Sequence, residues 1–382
     1  MSLVAPADTA TGAASAAAGP PPKPHFPPPA ELPTELGPDG LRFDFNFGAR
    51  VAVPDGKGPW RIRLSDLDTG NVLYETTIQK GWVNSAKHYY IRVRIEAFAG
   101  DRLVLAHDYD CRDKEVLVQL PVGTLGDSVG WFSYAVKFPR ARGCRLSVAM
   151  AEFLIPLFRD AYPEINFLTH EQVDPKRYYA TYNIGLFFDD EERIHQPCDF
   201  RLVGLHRTAG YILGVDPMEE PPRIAPSSSG RPLAERYVCI AVQSTTQAKY
   251  WNNPFGWREI IRFLNEAGYR VVCIDRSPAN GQGLIWNHIP HGVQDETGAR
   301  PLAERAHWLR PRGFLRWSLQ RPGLAGLGGR RPGGDDQRLH PPGERVRHPL
   351  PRHQLPRLQL LLERRAGAVR PQGLPLVPPP QG

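Results

Sequence analysis

Short apolar runs, each followed by a polar loop and helix-like spacing, recur along the middle of the chain. The run VLVQL at residues 116–120 is typical of a strand buried on both faces of a parallel sheet. Gly123 and Gly126 follow it and permit a sharp turn and the close approach of a ligand. Asp127 falls where the next helix begins, near the positive helix end, where a carboxylate stays ionised. A simple helix cap explains Asp127 equally well from this stretch alone.

A second strand–loop–helix–strand pattern covers residues 237–274. Apolar residues recur at helical spacing between positions 257 and 264, and Gly268 stands where a helix-ending glycine belongs. Lys249 ends the polar loop after the first of these strands, at the carboxyl end where open α/β sheets bind ligands. A lone lysine is more often a solvated surface charge, but in this position it can also meet a diphosphate.

The chain before residue 111 lacks this alternation of strands and helices. Residues 1–39 are rich in alanine and proline, cannot pack a core, and are predicted to be disordered. Residues 40–110 alternate polar and apolar positions between turn signals, which predicts a sheet or barrel of four or five antiparallel strands. This antiparallel β module carries no chemistry in its composition, and a packing role explains it as well as an accessory one.

Two α/β domains are predicted after this module. Residues 111–215 alternate strands and helices, which implies a Rossmann-like parallel sheet with right-handed crossovers. Pro156 predicts a kink or a later start in one apolar helix. Residues 216–231, rich in proline and serine, read as a linker. Residues 232–308 begin a second Rossmann-like domain, with a third strand predicted at residues 285–289.

The last segment, residues 309–382, breaks this pattern. It contains no Lys, Ile, Tyr, Asn, Thr, Met or Cys, and Arg, Pro, Leu and Gly dominate it. Neither a period of 2 nor one of 3.6 is sustained, and prolines recur too often for regular elements. A basic low-complexity tail is one interpretation. We favour an out-of-frame translation of a GC-rich gene, which leaves the second α/β domain incomplete and predicts irregular structure from Leu309 onward.

Charge and cysteine content exclude several classes of protein. The formal net charge is +7 and the sequence pI about 9.2, but much of the arginine lies in the last segment, so nucleic-acid binding is not indicated. The five cysteines form no CxxC pair, which argues against a zinc or redox motif and fits reduced thiols. No signal peptide or membrane-length apolar run is seen, and a cytoplasmic location is the default prediction.

Two stretches resemble a known family. GTLGDSVGW, at residues 123–131, resembles the glycine–aspartate loop of heptosyltransferases, and QSTTQAKYWNNPFGWREII, at residues 243–261, resembles their serine–lysine–tryptophan motif. The longer match, over roughly Leu41 to Leu309, is similar to the autotransporter heptosyltransferases, bacterial enzymes that O-glycosylate self-secreting adhesins. The resemblance implies that the β module helps to bind protein substrate or to assemble an oligomer. It also implies an iron-binding cysteine cluster, whose ligands this chain lacks, so no cofactor and no metal site are expected.

The chemistry of sugar transfer assigns roles to these stretches. An acceptor hydroxyl must lose a proton, and the resemblance supports Asp127 as the base that takes it. The leaving diphosphate must be stabilised, for which Lys249 is the predicted cation. The remaining predicted substrate-binding residues are Thr124, Gly126, Ser244, Thr245, Thr246 and Trp251. Loop polarity is the simpler explanation for the hydroxyl residues, and Trp251, like Trp257, is more often part of a core.

The sequence therefore predicts a GT-B-like pair of Rossmann-like domains with an N-terminal antiparallel β module. The predicted reaction moves heptose from ADP-glycero-manno-heptose to serine hydroxyls of an autotransporter adhesin. The predicted partners are this donor, that acceptor protein and further copies of the chain, with neither nucleic acid nor a membrane span. A lipopolysaccharide inner-core heptosyltransferase is the alternative enzyme. A non-catalytic binding or assembly module, or an inactive frameshifted product, is the alternative of a different class.

Overall fold

The structure, a computed structural model, describes residues 26–123, 125–224, 232–244, 250–251, 253–282, 285–309 and 315–318, and for 280–282, 285–287 and 315–318 the backbone alone. The strands of the first part are β1 (Glu35–Leu36), β2 (Arg42–Asn46), β3 (Arg50–Val53), β4 (Trp60–Asp66), β5 (Val72–Ile78), β6 (Gly81–Asn84), β7 (Val93–Ala99), β8 (Arg102–Asp108), β9 (Glu115–Gln119), β10 (Arg145–Ala149), β11 (Asn166–Leu168) and β12 (Ala180–Asn183). Its helices are α1 (Leu125–Arg142), α2 (Ile155–Phe158), α3 (Phe200–Val203) and α4 (Arg207–Leu213).

The second part follows residue 231. Its strands are β13 (Tyr237–Ala241), β14 (Arg270–Cys273), β15 (Ala279–Gln282), β16 (Ile285–His288), β17 (Gln294–Asp295) and β18 (Leu315–Ser318). Its helices are α5 (Gly256–Glu266) and α6 (Leu302–Trp308). No helix among the described residues is both long enough and apolar enough to cross a membrane.

The first α/β unit is built on the predicted buried strand, β9. Strands β11, β10, β9 and β12 pair in parallel in that order. Val116, Val118 and Leu120 pack beneath α1, in one core with Phe132 and Phe158, whose rings stack at 4.1 Å. Alternate residues of β9 thus serve opposite faces of the sheet. The α/β prediction for this part of the chain is confirmed.

The opposite face of this sheet is covered partly by the N-terminal arm, which we define as residues 26–34. Gln119, the last residue of β9, donates from Nε2 to the carbonyl oxygen of Pro27 at 3.3 Å, and Ala30 is buried. Residues 1–25 lie outside the described residues. The prediction of disorder up to residue 39 is therefore corrected for residues 26–39, because tertiary contacts hold a segment whose composition could not build a core alone.

The antiparallel module is only partly separate from the parallel sheet. Strands β5, β4, β7 and β8 form a four-stranded antiparallel sheet in that order, and Trp60, Ile62 and Leu64 on β4 are buried as the alternation predicts. Strands β2, β3 and β6 instead extend the parallel sheet, because β2 pairs in parallel with β12. The predicted domain boundary near residue 110 remains a prediction, because one hydrophobic core contains residues from both sides of it.

The second α/β unit follows the predicted order through β13, α5 and β14. Its sheet runs β17–β14–β13–β18, all parallel. The strand predicted at residues 285–289 is present as β16, but it does not join this sheet: it pairs with β15 in a separate antiparallel hairpin, and β17 takes the place beside β14. Pro156 stands in the first turn of α2, so the predicted later helix start is confirmed.

Strand β18 lies beyond the predicted end of regular structure, and helix α6 contacts the first α/β unit. Strand β18 pairs with β13 after residue 309, so irregular structure from Leu309 onward is corrected for these four residues. Residues 319–382, and with them most of the predicted out-of-frame segment, lie outside the described residues. Helix α6 returns to the first unit, where Leu302, Ala303 and Ala306 pack against its core.

A buried ion pair joins the arm, the module and the parallel sheet. Asp44 is fully buried and accepts from Arg50 Nε at 2.8 Å and from Arg50 Nη2 at 2.6 Å. It also accepts from the backbone N–H of Thr34 and from Asn46 Nδ2, while Asn46 accepts from the Thr181 hydroxyl on β12. Arg50 donates further to the carbonyl oxygen of Ala30. Both charges are thus paired and hydrogen-bonded, as burial requires.

We expect Arg50→Met to lower the free energy of unfolding by about 3–5 kcal/mol, because it leaves the buried Asp44 carboxylate uncompensated. Arg92→Met is the matched control: Arg92 pairs with Asp68 at 2.7 Å on the surface, where such pairs contribute roughly 0–1 kcal/mol. Denaturant unfolding of both variants measures the difference. Equal effects of the two substitutions would contradict a structural role for the buried pair.

Candidate active site

Asp127 lies in the first turn of α1, eight residues beyond the end of β9. Gly123, in the connecting loop, has φ +97°, a conformation that favours glycine. The Asp127 side chain is half-buried, and it makes no hydrogen bond or ion pair with any described residue. The Asp127 carboxylate therefore has no structural partner in the described part of the chain. It lies at the edge of the sheet where α/β proteins bind ligands.

One face of α1 is fixed to the segment that leads out of the first unit. Trp131 donates from Nε1 to the carbonyl oxygen of Leu205 at 2.8 Å, and the Tyr134 hydroxyl donates to the carbonyl oxygen of Pro217 at 3.1 Å. Lys137, also buried, donates to the carbonyl oxygens of residues 216 and 218. These contacts hold the helix that carries Asp127 in one orientation.

A second close contact lies one helical turn beyond Asp127. The ring of His206 packs so closely against Gly130 that an added Cβ at Gly130 would lie 2.6 Å from His206 Cδ2. Only glycine leaves room for the imidazole at this position. Gly126, by contrast, is half-exposed and opens the helix itself, where its role as a substrate-binding residue stays a prediction.

The second predicted loop follows β13. Ser244 lies three residues past the strand, again at the carboxyl edge of a parallel sheet. Thr124, Thr245, Thr246 and Lys249 lie outside the described residues, so their predicted roles stay predictions. Ser244 and Asp127 thus each lie at the carboxyl edge of their own sheet.

Trp251 packs against the start of α5. Its ring meets Trp257 edge-on at 5.3 Å between centroids, and it lies directly over Gly256, where a Cβ would clash with it. This contact packs Trp251 on the helix, which agrees with the core role that tryptophan more often has. Its role as a sugar contact remains a prediction.

Asp275 is a residue that the sequence reasoning did not single out. It follows β14, is buried, and accepts from the backbone N–H groups of Val242 at 2.7 Å and Gln243 at 3.3 Å. The pKa of the Asp275 carboxyl is raised above its usual range, mainly because the group is buried. Asp275 thus anchors the backbone from which the Ser244 loop departs. Its place just after a buried strand, in the stretch VVCID, was the available signal.

Two α/β units, each with a parallel sheet and a polar loop at its carboxyl edge, define a GT-B-type glycosyltransferase. Residues 37–101 match the family model "Glycosyltransferase TibC, N-terminal domain". The chain is 49% identical over 289 residues to the autotransporter heptosyltransferase BAHTCr of Citrobacter rodentium (strain ICC168), covering 75% of this chain and 70% of that protein. The chain belongs to the autotransporter heptosyltransferase family.

A solved structure supports the same assignment. The crystal structure of TibC from enterotoxigenic E. coli H10407, described as an iron-containing dodecameric glycosyltransferase, has a TM-score of 0.73 and 46% identity over 78% of each chain. TibC has also been solved in complex with ADP-D-beta-D-heptose. A further relative, BimC of Burkholderia thailandensis (strain ATCC 700388 / DSM 13276 / CCUG 48851 / CIP 106301 / E264), is 46% identical over 288 residues, covering 75% of this chain and 67% of that protein, and is described as inactive.

The sequence predicted that this chain has no cofactor. That prediction is corrected by its relative TibC, which is described as iron-containing. The described residues of this chain do not fit an iron site, because they hold no group of three or more His, Cys, Asp or Glu side chains that could bind a metal. Burial also raises the pKa of Cys239 and of Cys273 to about 12, which keeps these thiols protonated.

We expect Asp275→Ala to destabilise the protein by roughly 1–3 kcal/mol, because two buried N–H groups lose their acceptor. Asp275→Asn keeps one acceptor oxygen and should cost less. The raised pKa determines the direction in which stability changes with pH. The Asp275 carboxyl contributes stability below its pKa in the unfolded state, and this contribution is lost as the pH rises through its pKa in the folded state. Unfolding of the parent and of Asp275→Asn between about pH 4 and 7 should therefore show the Asn variant gaining relative stability with rising pH. A constant difference would contradict burial as the dominant cause.

Proposed function

We propose that this protein transfers heptose from ADP-heptose to serine hydroxyls of an autotransporter adhesin. The observation that carries the proposal is Asp127: a half-buried carboxylate at the carboxyl edge of the sheet, without a partner among the described residues. Membership of a family whose relatives are named autotransporter heptosyltransferases supports the donor and the acceptor.

The proposed reaction assigns a chemical role to most of the predicted site residues. The Asp127 carboxylate takes the proton of the serine hydroxyl, and the serine oxygen forms a bond to the anomeric carbon of the heptose. The bond between that carbon and the diphosphate oxygen breaks, and ADP leaves with the electron pair. Lys249 stabilises the leaving diphosphate, with hydroxyls from Ser244, Thr245 and Thr246 and the loop at Thr124 and Gly126. The α1 contacts of Trp131 and Lys137 hold the base in place during the transfer.

The cellular setting is part of the same proposal. We propose that the protein acts in the cytoplasm, before its autotransporter acceptor is exported. Because TibC is described as dodecameric, we infer that this chain also assembles with copies of itself. The out-of-frame origin of the last segment remains our interpretation of its composition.

A non-catalytic role is the second candidate, and one observation favours it: the relative BimC is described as inactive although it is 46% identical. Incubating the purified chain with ADP-heptose and an unglycosylated adhesin passenger separates the two. Intact-mass measurement shows an added heptosyl mass if the proposed function is right. Binding of the passenger with no mass increment would instead support the binding role.

We expect Asp127→Ala to lower the transfer rate by at least about 10²-fold, the usual contribution of a general base. The fold should be unchanged, because the carboxylate holds no described residue in place. Glu164→Ala, which removes an exposed carboxylate without a described partner, is the control. Turnover and melting temperature are measured for both variants. Near-parental turnover of Asp127→Ala would remove Asp127 as the base.

We expect Lys249→Ala to impair use of ADP-heptose more than use of the acceptor, since it removes the cation assigned to stabilise the leaving diphosphate. Titration with ADP gives the donor affinity directly, and steady-state rates give KM for each substrate. Lys176→Ala removes an exposed cation elsewhere and should leave both values unchanged. If donor affinity and rate both stay at the parental level in Lys249→Ala, the assignment of the diphosphate contact is wrong.

A further inference from the structure

Four large apolar side chains are exposed on the loops and the short helix around Asp127. Val122 is 62% exposed, Phe153 48%, Phe188 52% and Leu202 83%. Single exposed apolar residues are ordinary, but a group of them at one place marks an interaction surface. We call these four residues the apolar rim.

The sheet order brings the apolar rim to one edge. Strands β10, β9 and β12 are neighbours and parallel, so the loops that follow them leave the sheet side by side. Val122 follows β9, Phe153 follows β10 and Phe188 follows β12. This is the edge at which α1 begins and at which Asp127 lies.

Direct contacts place Leu202 at the same edge. Phe200, the first residue of α3, meets the Phe188 ring edge-on at 5.2 Å between centroids, and Arg201 donates to the carbonyl oxygen of Phe188 at 2.8 Å. Beyond α3, the carbonyl oxygen of Leu205 accepts from Trp131 on α1. Helix α3 therefore bridges the loop after β12 and the first turns of the helix that carries the base.

The chain segment that carries Phe188 and Leu202 is mainly acidic. Residues 187–202 contain five acids and two arginines. Asp189, Glu191 and Glu192 are exposed, and their carboxylates make no ion pair with any described residue, while both arginines lie near Asp199. Such a surface repels an anionic partner and favours an apolar one with neutral or basic flanks.

We propose that the apolar rim is the docking surface for the acceptor polypeptide, which presents apolar side chains with neutral or basic neighbours beside the serine that is modified. This inference rests on the proposed function and specifies its acceptor side. It also favours a protein acceptor over an oligosaccharide, because a polypeptide can present apolar side chains to the exposed apolar rim. Docking on the rim would determine which serine reaches Asp127.

The test compares a rim variant with a matched control. Phe188→Ser combined with Leu202→Ser removes two exposed apolar side chains, and Leu32→Ser combined with Leu36→Ser does so before β2, outside the β module, at 53% and 75% exposure. Each protein is titrated with the unglycosylated passenger of an autotransporter adhesin, with lipopolysaccharide core oligosaccharide and with ADP-heptose. We expect the rim variant to bind the passenger at least about 10-fold more weakly than the parent, and the control to bind as the parent does. Affinity for ADP-heptose should be the same in all three.

The possible results separate this inference from the proposed function. If the parent binds the passenger and the rim variant binds it equally well, the docking surface is elsewhere and the proposed function stands. If the control weakens passenger binding as much as the rim variant does, the effect is not specific to the rim and the inference fails. Rim-dependent binding of the core oligosaccharide would overturn the choice of a protein acceptor. If the parent binds neither passenger nor ADP-heptose, the proposed function fails and this inference with it.

Discussion

The buried pair of Asp44 and Arg50 is the interaction on which the first half of this protein depends. Neither charge is stable in the interior alone, and each is satisfied only when three chain segments meet: the N-terminal arm, the β2–β3 hairpin and strand β12. Strand β12 in turn pairs with β9, the strand that leads to Asp127. The buried ion pair and its hydrogen bonds thus support the part of the sheet at whose edge Asp127 lies.

Helix α1 connects this scaffold to the site. Its inner side chains fill the core above β9, and its remaining face donates hydrogen bonds to backbone carbonyls between residues 205 and 218. The helix is therefore held on both sides, and the first turn that carries Asp127 has little freedom to tilt. A fixed carboxylate needs no reorganisation when an acceptor hydroxyl arrives, which is how preorganised groups contribute most to catalysis.

The sequence predicted elements whose signal is local and missed those that depend on distant partners. Strands β9 and β13 and helix α5 follow from apolar runs and helical spacing, and the first-turn position of Asp127 follows from its neighbours. The ordered arm could not be predicted, because its proline-rich composition has no core and its hydrogen bonds come from Asp44, Arg50 and Gln119. The strand β16 follows from its own residues, but its pairing with β15 instead of with the parallel sheet depends on a partner strand that the local pattern does not reveal. Asp275 escaped notice because its partners are backbone N–H groups 32 and 33 residues away.

Helix α6 has a consequence for how the protein unfolds. It belongs by sequence to the second α/β unit, yet Leu302, Ala303 and Ala306 complete the core of the first. Loss of α6 from this place would therefore uncover apolar surface of the first unit, so the stability of the first core depends in part on a helix from the second.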